Sequence, residues 1–246
     1  YEKVFKKEMK NKFCVIALGG SVIVPHLTDH DGINTVFLRK FRTFLLREMK
    51  KGKRFVVVTG GGRTTRVYQK GASKVLSMIS EDLDWIGIHA TRLNAHLLRT
   101  IFRKQAYPWV IDKDPAVSVM EKLKSSKKSL FVASGWKPGW STDYIAVRLA
   151  QKFGAKEVID AGDISFVYDG DPKKNGKVKS LKELSWKEYK SLIPATWSPG
   201  MAVPFDPVAT RLGEELGLRV KILKGTNLKN MKRAIEGKSF QGTQIF

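Results

Sequence analysis

Three consecutive glycines, Gly60, Gly61 and Gly62, are followed at once by Arg63 and, three residues on, by Arg66. Glycine lets the backbone approach a ligand with no Cβ in the way. Amides at the start of a following helix face an anion favourably, and the helix dipole adds to the attraction. Two arginines three apart point near one face and reach phosphate oxygens. The chemistry indicated is the holding of phosphate groups. A plain strand-to-helix turn would also use glycine, but the chain repeats the device. Leu18 is followed by Gly19, Gly20 and Ser21. A second turn runs Ser134, Gly135, Trp136, Lys137, Pro138, Gly139, Trp140, Ser141, Thr142 and Asp143. A third runs from Gly162 through Tyr168 to Asp169, Gly170, Asp171 and Pro172. Glycine-rich strand ends with arginines and only 4 histidines suit the positioning of polyphosphates better than proton transfer.

These turns need strands and helices to carry them. Phe55 to Thr59 is a short β-branched run bounded by glycine, the mark of a buried strand. Lys12–Leu18, Ala106–Ile111, Leu130–Ala133, Glu157–Ala161, Arg219–Leu223 and Gly242–Phe246 are further predicted strands. Ile33, Val36, Phe37, Phe41, Phe44, Leu45 and Met49 follow helical spacing, with Gly52 near the stop. Further helices are predicted over 64–79, from Asp84 to about Arg103, from Pro115, and over Tyr144–Phe153, Val208–Leu216 and Asn227–Glu236. Ser141 or Thr142 can cap the helix that begins at Tyr144. Lys173–Lys190 is basic and partly helical, and Ile193–Pro207 is irregular. Alternating strands and helices predict an α/β fold with a mainly parallel sheet covered on both faces.

Composition narrows the function classes. A chain of 246 residues can bury a full core, and 42% hydrophobic content with mean hydropathy −0.24 describes a soluble globular protein. No apolar run approaches the roughly 20 residues of a membrane span. The lysine-rich start leads into a strand, not into a signal-peptide core. Cys14 is the single cysteine, so no internal disulfide forms and a reducing cytoplasm fits. The net charge of +22 is spread along the chain without a recognisable nucleic-acid module, so nucleic-acid binding would be non-specific. His26, His30 and Asp31 form a polar loop with no second cluster to complete a metal site, and no protein-bound metal is assigned. No Gly-x4-Gly-Lys motif followed by Ser or Thr occurs, nor a Gly-x-Gly-x-x-Gly after a strand.

The ordered motifs Leu18–Ser21, Val57–Arg66, Asp84–Ile88, Ala90–Ala95, Pro138–Asp143, Val167–Pro172 and Phe205–Ala209 resemble the amino acid kinase superfamily. Within it the closest likeness is to archaeal UMP kinases, from about residue 12 to the Gly242–Thr243 end. The resemblance implies one αβα sandwich, with about 12–155 as the acceptor lobe and about 156–246 as the ATP lobe. It implies transfer of a phosphoryl group from ATP, with Mg2+, to UMP in a cytoplasmic homo-oligomer, a hexamer in such relatives. Gly19, Gly20 and Ser21 would then face the transferring group. Gly61 would contact UMP, with Gly62 and Arg66 toward the ATP phosphates. Asp84 resembles the ribose or uracil contact, and the Gly135–Thr142 loop would hold the monophosphate nucleotide. Gly162, Tyr168 and Asp171 match the adenine-nucleotide side. Asp143 is the candidate for organising the donors or the metal shell.

This sequence departs from the family pattern in specific places. The typical turn His-Pro-Gly-His-Thr-Thr-Asp stands here as Lys137 to Asp143, with Trp140 in place of the second histidine. Trp136 and Trp140 would stack on a base, exclude UMP in favour of another acceptor, or simply pack under the loop. Asp163 to Phe166 replaces the usual Asn-Val-Asp-Gly. Many members carry a lysine on the first strand where Ala17 stands, so Lys137, Arg63 or Arg66 must supply the cation. The alternative reading is a lapsed member of the same fold that binds nucleotides or polyanions, or a kinase of another small phosphate or carboxylate.

Overall fold

Successive side chains of a strand point to opposite faces, and this alternation divides the core in two. The computed structural model describes residues 13–26, 32–170, 177–197, 201 and 203–246. The main sheet comprises β1 (Phe13–Leu18), β2 (Arg54–Thr59), β3 (Leu130–Ala133), β4 (Glu157–Gly162), β7 (Glu183–Leu184), β8 (Arg219–Lys224) and β9 (Thr243–Ile245). Its order is β3-β2-β1-β4-β8-β9-β7. The pairings from β3 across to β8 are all parallel, while β9 runs antiparallel to β8. A small hairpin, β5 (Val167–Tyr168) with β6 (Ser180–Leu181), stands apart from it.

On one face Val15 and Ala17 join Val56, Val58, Phe131 and Val158. Helix α6 (Thr142–Phe153) covers them with Ile145, Leu149 and Phe153, and α5 (Val117–Ser125) adds Met120 and Leu123. On the other face Ile16, Leu18, Phe55, Val57 and Ile159 meet Phe37, Phe41 and Leu45 of α2 (Thr35–Lys50). Helix α4 (Ser80–Ile101) adds Ala95 and Leu98, and α9 (Leu228–Ile235) adds Met231 and Ala234. The result is the layered α/β sandwich expected, with helices on both faces of a mainly parallel sheet.

Several local expectations change. The chain after Gly19 turns directly into a short helix, α1 (Gly20–Ile23), where a loop was expected from Val22. Helix α3 spans Gly62–Val75, and α4 starts at Ser80, four residues before Asp84, with Glu81 and Asp82 complementing its dipole. Ala106–Ile111 is no strand: only Ala106 and Ile111 bridge to β3, with Pro108 between them. Proline lacks the donor a ladder needs. A helix within the basic stretch is α7 (Trp186–Ser191), started by a Ser185–Glu188 capping box. Helix α8 (Pro207–Glu215) begins at a proline capped by Asp206. The residues from 27 to 31, with His30 and Asp31, and also Asp171, lie outside the described residues. No described helix is long and apolar enough to cross a membrane.

Candidate active site

The carboxyl ends of β1, β2 and β3 converge, and glycine makes the convergence possible. The Gly60 amide donates to Leu18 O at 2.9 Å, and the Gly19 amide to Ala161 O at 3.0 Å. At Gly20 a Cβ would lie 2.0 Å from Gly62 N and 2.6 Å from Gly60 C, so the two turns touch backbone to backbone. Gly62 also has φ +67, a left-handed value that disfavours any side chain. Helix α3 starts immediately there, its cap residue Gly61 offering no side-chain bond to the first amides, of which that of Arg63 donates to Val24 O at 3.0 Å. The glycine run thus places the start of α3 directly against the β1 turn.

Helix α4 pins the turns. Asn94 Nδ2 donates to Gly60 O at 2.8 Å, and Thr59 Oγ1 donates to Thr91 O at 3.0 Å. The Gly135 amide donates to Thr91 Oγ1 at 2.7 Å, tying the β3 turn to the same helix. At the far end of the loop the Gly139 amide donates to Asp84 Oδ2 at 2.7 Å. Burial raises the Asp84 carboxyl above its ordinary value, and that amide bond partly opposes the rise.

Ser141, not Thr142, caps α6 by accepting from the Tyr144 amide at 2.9 Å. The Ser141 hydroxyl in turn donates to Asp206 Oδ2. Asp206 Oδ1 accepts from the amides of Val208 and Ala209 at 2.7 and 3.0 Å, so one carboxylate joins the β3 loop to the start of α8. Asp143 follows in the first turn of α6. Burial, then the neighbouring Asp206 charge, pushes its carboxyl up to about 8. Asp160, two residues before the end of β4, is also raised, by burial and then by Asp143 and Asp163. Negative charge is therefore disfavoured at this end of the sheet until a cation joins it.

The turns enclose a cleft of about 360 Å³. From the first two turns Gly20, Ser21, Gly61, Gly62 and Arg66 line it. From α4 and the β3 loop come Asp84, Gly135, Lys137, Trp140, Ser141, Thr142 and Asp143. Gly19, Pro138 and Gly139 support this wall without lining it, and Gly162 accepts from the Gly225 amide at 2.7 Å behind it. Arg63 is exposed and outside the lining, while its amide donates to Val24 O. Tyr168 sits on the β5–β6 hairpin, also outside the lining.

The two tryptophans separate. Trp136 is buried with Nε1 donating to Ile111 O at 3.0 Å, so it packs beneath the loop and leaves the ligand space free. Trp140 faces the cleft, edge-on to Tyr144 at 4.7 Å, with Lys137 Nζ 4.2 Å from its ring centroid. A lysine held over indole presents its charge at a fixed place.

Sequence reasoning missed Thr65, Gln69, Gly87 and Thr91 on the helices, and Asp206 on the carboxyl-terminal side. Asp206 was legible as a cap, because an aspartate directly before Pro207 is a helix-start signal. Among the described residues no group of three His, Cys, Asp or Glu side chains is arranged to hold a metal. Asp206 already accepts three donors. Asp143, with its carboxyl raised by burial and by the Asp206 charge, lines the cleft in an environment a cation would relieve. The residues thus fit Mg2+ carried in by phosphates and met by one or two carboxylates.

Residues 12–224 match the amino acid kinase family. The uridylate kinase of Hyperthermus butylicus is 34% identical over 187 residues, which are 76% of this chain and 80% of that protein. The uridylate kinase of Methanocorpusculum labreanum is 32% identical over 233 residues, 94% of each chain. Among solved structures, uridylate kinase from Archaeoglobus fulgidus matches with TM-score 0.74 and 28% identity, over 96% of this chain and 100% of that one. UMP kinase from Bacillus anthracis, at 20% identity and TM-score 0.76 over 95% of each chain, shares the fold. By sequence, fold and the glycine turns that meet at its cleft, the chain belongs to the amino acid kinase family.

Proposed function

We propose that this protein is a nucleoside monophosphate kinase that transfers the γ-phosphoryl group of ATP to UMP, giving UDP for pyrimidine nucleotide synthesis. The observation that carries the reading is the backbone contact between Gly20 and Gly62, which sets two amide-rich turns side by side at the mouth of one cleft. Phosphoryl transfer asks for little covalent chemistry. It asks that donor and acceptor oxygens be aligned and that equatorial charge be neutralised. Gly20, Ser21 and the amides at the start of α3 hold the transferring group. Arg66 and Lys137 line the cleft and supply the positive charge that Ala17 cannot. Arg63, which does not line the cleft, is not needed for that role.

The acceptor occupies the side formed by Gly61, Asp84 and the Gly135–Thr142 loop, with Trp140 offering a ring to the base. ATP lies toward Gly62, Arg66 and the β4 end at Gly162, with Tyr168 and Asp171 on its adenine side. The lobes divide near residue 155. When bound with ATP, Mg2+ supplies charge neutralisation at the phosphates, and Asp143 is the residue to meet it. The protein works in the cytoplasm as a homo-oligomer, a hexamer by likeness to its relatives. Exposed apolar side chains support self-association: Val75 (89% exposed) ends α3, Leu76 (69%) and Ile79 (63%) follow it, and Leu93 (65%) lies on α4.

A coupled assay over the common nucleoside monophosphates and small acids tests the reading. UMP is the expected acceptor, with CMP and AMP poorer. Activity confined to a carboxylate or an isoprenoid phosphate would overturn it.

A further inference from the structure

Thr65, at the end of the first turn of α3, lines the cleft, and its Oγ1 is buried with no hydrogen-bond partner among the described residues. A threonine inside a helix commonly donates to the carbonyl four residues back. Here that carbonyl belongs to Gly61, and Asn94 Nδ2 approaches it at 3.3 Å while bonding Gly60 O at 2.8 Å. Thr65 Oγ1 has instead moved into the space that a side chain at position 61 would fill: a Cβ there would lie 1.9 Å from it. The hydroxyl therefore rests against the Gly61–Gly62 turn, one residue before Arg66. Its Cγ2 methyl is turned toward α4, 3.5 Å from where a Cβ on Gly87 would stand. A buried hydroxyl without a partner lowers stability, and such groups are rare unless something absent completes them.

We infer that the Thr65 hydroxyl donates to a phosphate oxygen of the acceptor nucleotide, so that the cleft selects a nucleoside monophosphate over the nucleoside. The inference rests on the kinase reading above. Its position fits the acceptor's phosphate: the hydroxyl rests against Gly61, which the kinase reading gives to UMP, and not on the Gly62 and Arg66 side given to ATP. Among the described residues the hydroxyl has no hydrogen-bond partner to compete for its proton.

Thr65→Val removes the hydroxyl at nearly constant shape, and Thr65→Ser keeps it. The Michaelis constants for UMP and for ATP, competitive inhibition by uridine, and melting of the ligand-free protein are measured for each. Loss of a hydrogen bond to a charged group predicts a rise of about 10-fold or more in the constant for UMP in the valine variant. The constant for ATP and the inhibition by uridine stay within about twofold, the serine variant behaves like the wild type, and the valine variant melts no lower. A valine variant with unchanged affinity for UMP overturns the inference and leaves the kinase reading standing. A parallel loss for UMP, ATP and melting temperature overturns it in favour of a structural hydroxyl. A wild-type protein that does not turn over UMP overturns the kinase reading, and this inference with it.

Discussion

Asp143→Asn should make the ligand-free protein more stable while removing most of its activity. Burial, then the charge of the neighbouring Asp206, raises the Asp143 carboxyl to about 8 from an ordinary 3.8, and Asp143 in turn raises Asp160. Between those values the folded chain holds a proton that the unfolded chain releases. Stability then falls as pH rises from about 4 to about 8, because the folded state binds more protons. At pH 7 the gap from 3.8 is about three pH units, and at 1.36 kcal/mol per unit the limit is about 4 kcal/mol. Because Asp143 lines an open cleft, solvent screening reduces the effect to about 1–3 kcal/mol. Asparagine has no such cost, and its removal of charge also eases Asp160. Urea melts of chelator-treated protein at pH 5 and pH 8 are the assay. The variant should match the wild type within about 1 kcal/mol at pH 5 and exceed it by about 1–3 kcal/mol at pH 8. Its turnover should fall about 10²-fold or more. A variant no more stable than the wild type at pH 8 would refute the claim that this carboxyl is held against its own ionisation.

Other outcomes follow from the same geometry. Arg66→Ala should cut turnover by about 10²-fold with little change in melting temperature, and an equally active variant would place the side chain on the surface. Gly20→Ala sets a methyl 2.0 Å from Gly62 N, so it should destabilise by about 3 kcal/mol or more in a urea melt; a neutral result would mean that the two turns do not touch. Asp206→Ala removes the α8 cap and the Ser141 contact together, and a loss of about 1–3 kcal/mol is expected by the same method. The Michaelis constant for UMP should shift only several-fold from 50 to 200 mM salt, whereas binding through 6 to 10 phosphate contacts would weaken by about 10³ to 10⁵. RNA binding that survives physiological salt would give the +22 charge a function of its own.

Much of the architecture was legible because it depends on local periodicity. Val15 and Ala17 against Ile16 and Leu18 carry the period of two, and Phe37, Phe41 and Leu45 the helical period. The strand-end glycines were legible because close backbone approach tolerates no other residue. What escaped depends on contacts distant in sequence. Asp206 meets Ser141 across 65 positions, and no local pattern predicts that pairing. Trp136 and Trp140 are four apart in an irregular loop, so periodicity could not say that one packs inward and the other faces the cleft. Ala106–Ile111 has the composition of a strand, but Pro108 interrupts the ladder and leaves two bridges. Arg63 and Arg66 share a helix, and their spacing alone did not say that of the two only Arg66 borders the cleft. Thr65 carried a faint signal: it stands four residues after Gly61, one helical turn from the glycine run.

The most direct test of the account is phosphorus NMR of the purified protein with ATP, Mg2+ and UMP. The account predicts that ADP and UDP resonances grow together in equal amounts, with no inorganic phosphate. They should be absent when UMP is replaced by uridine. ATP that stays intact in the presence of UMP, or that yields ADP and free phosphate at a rate indifferent to UMP, would contradict it.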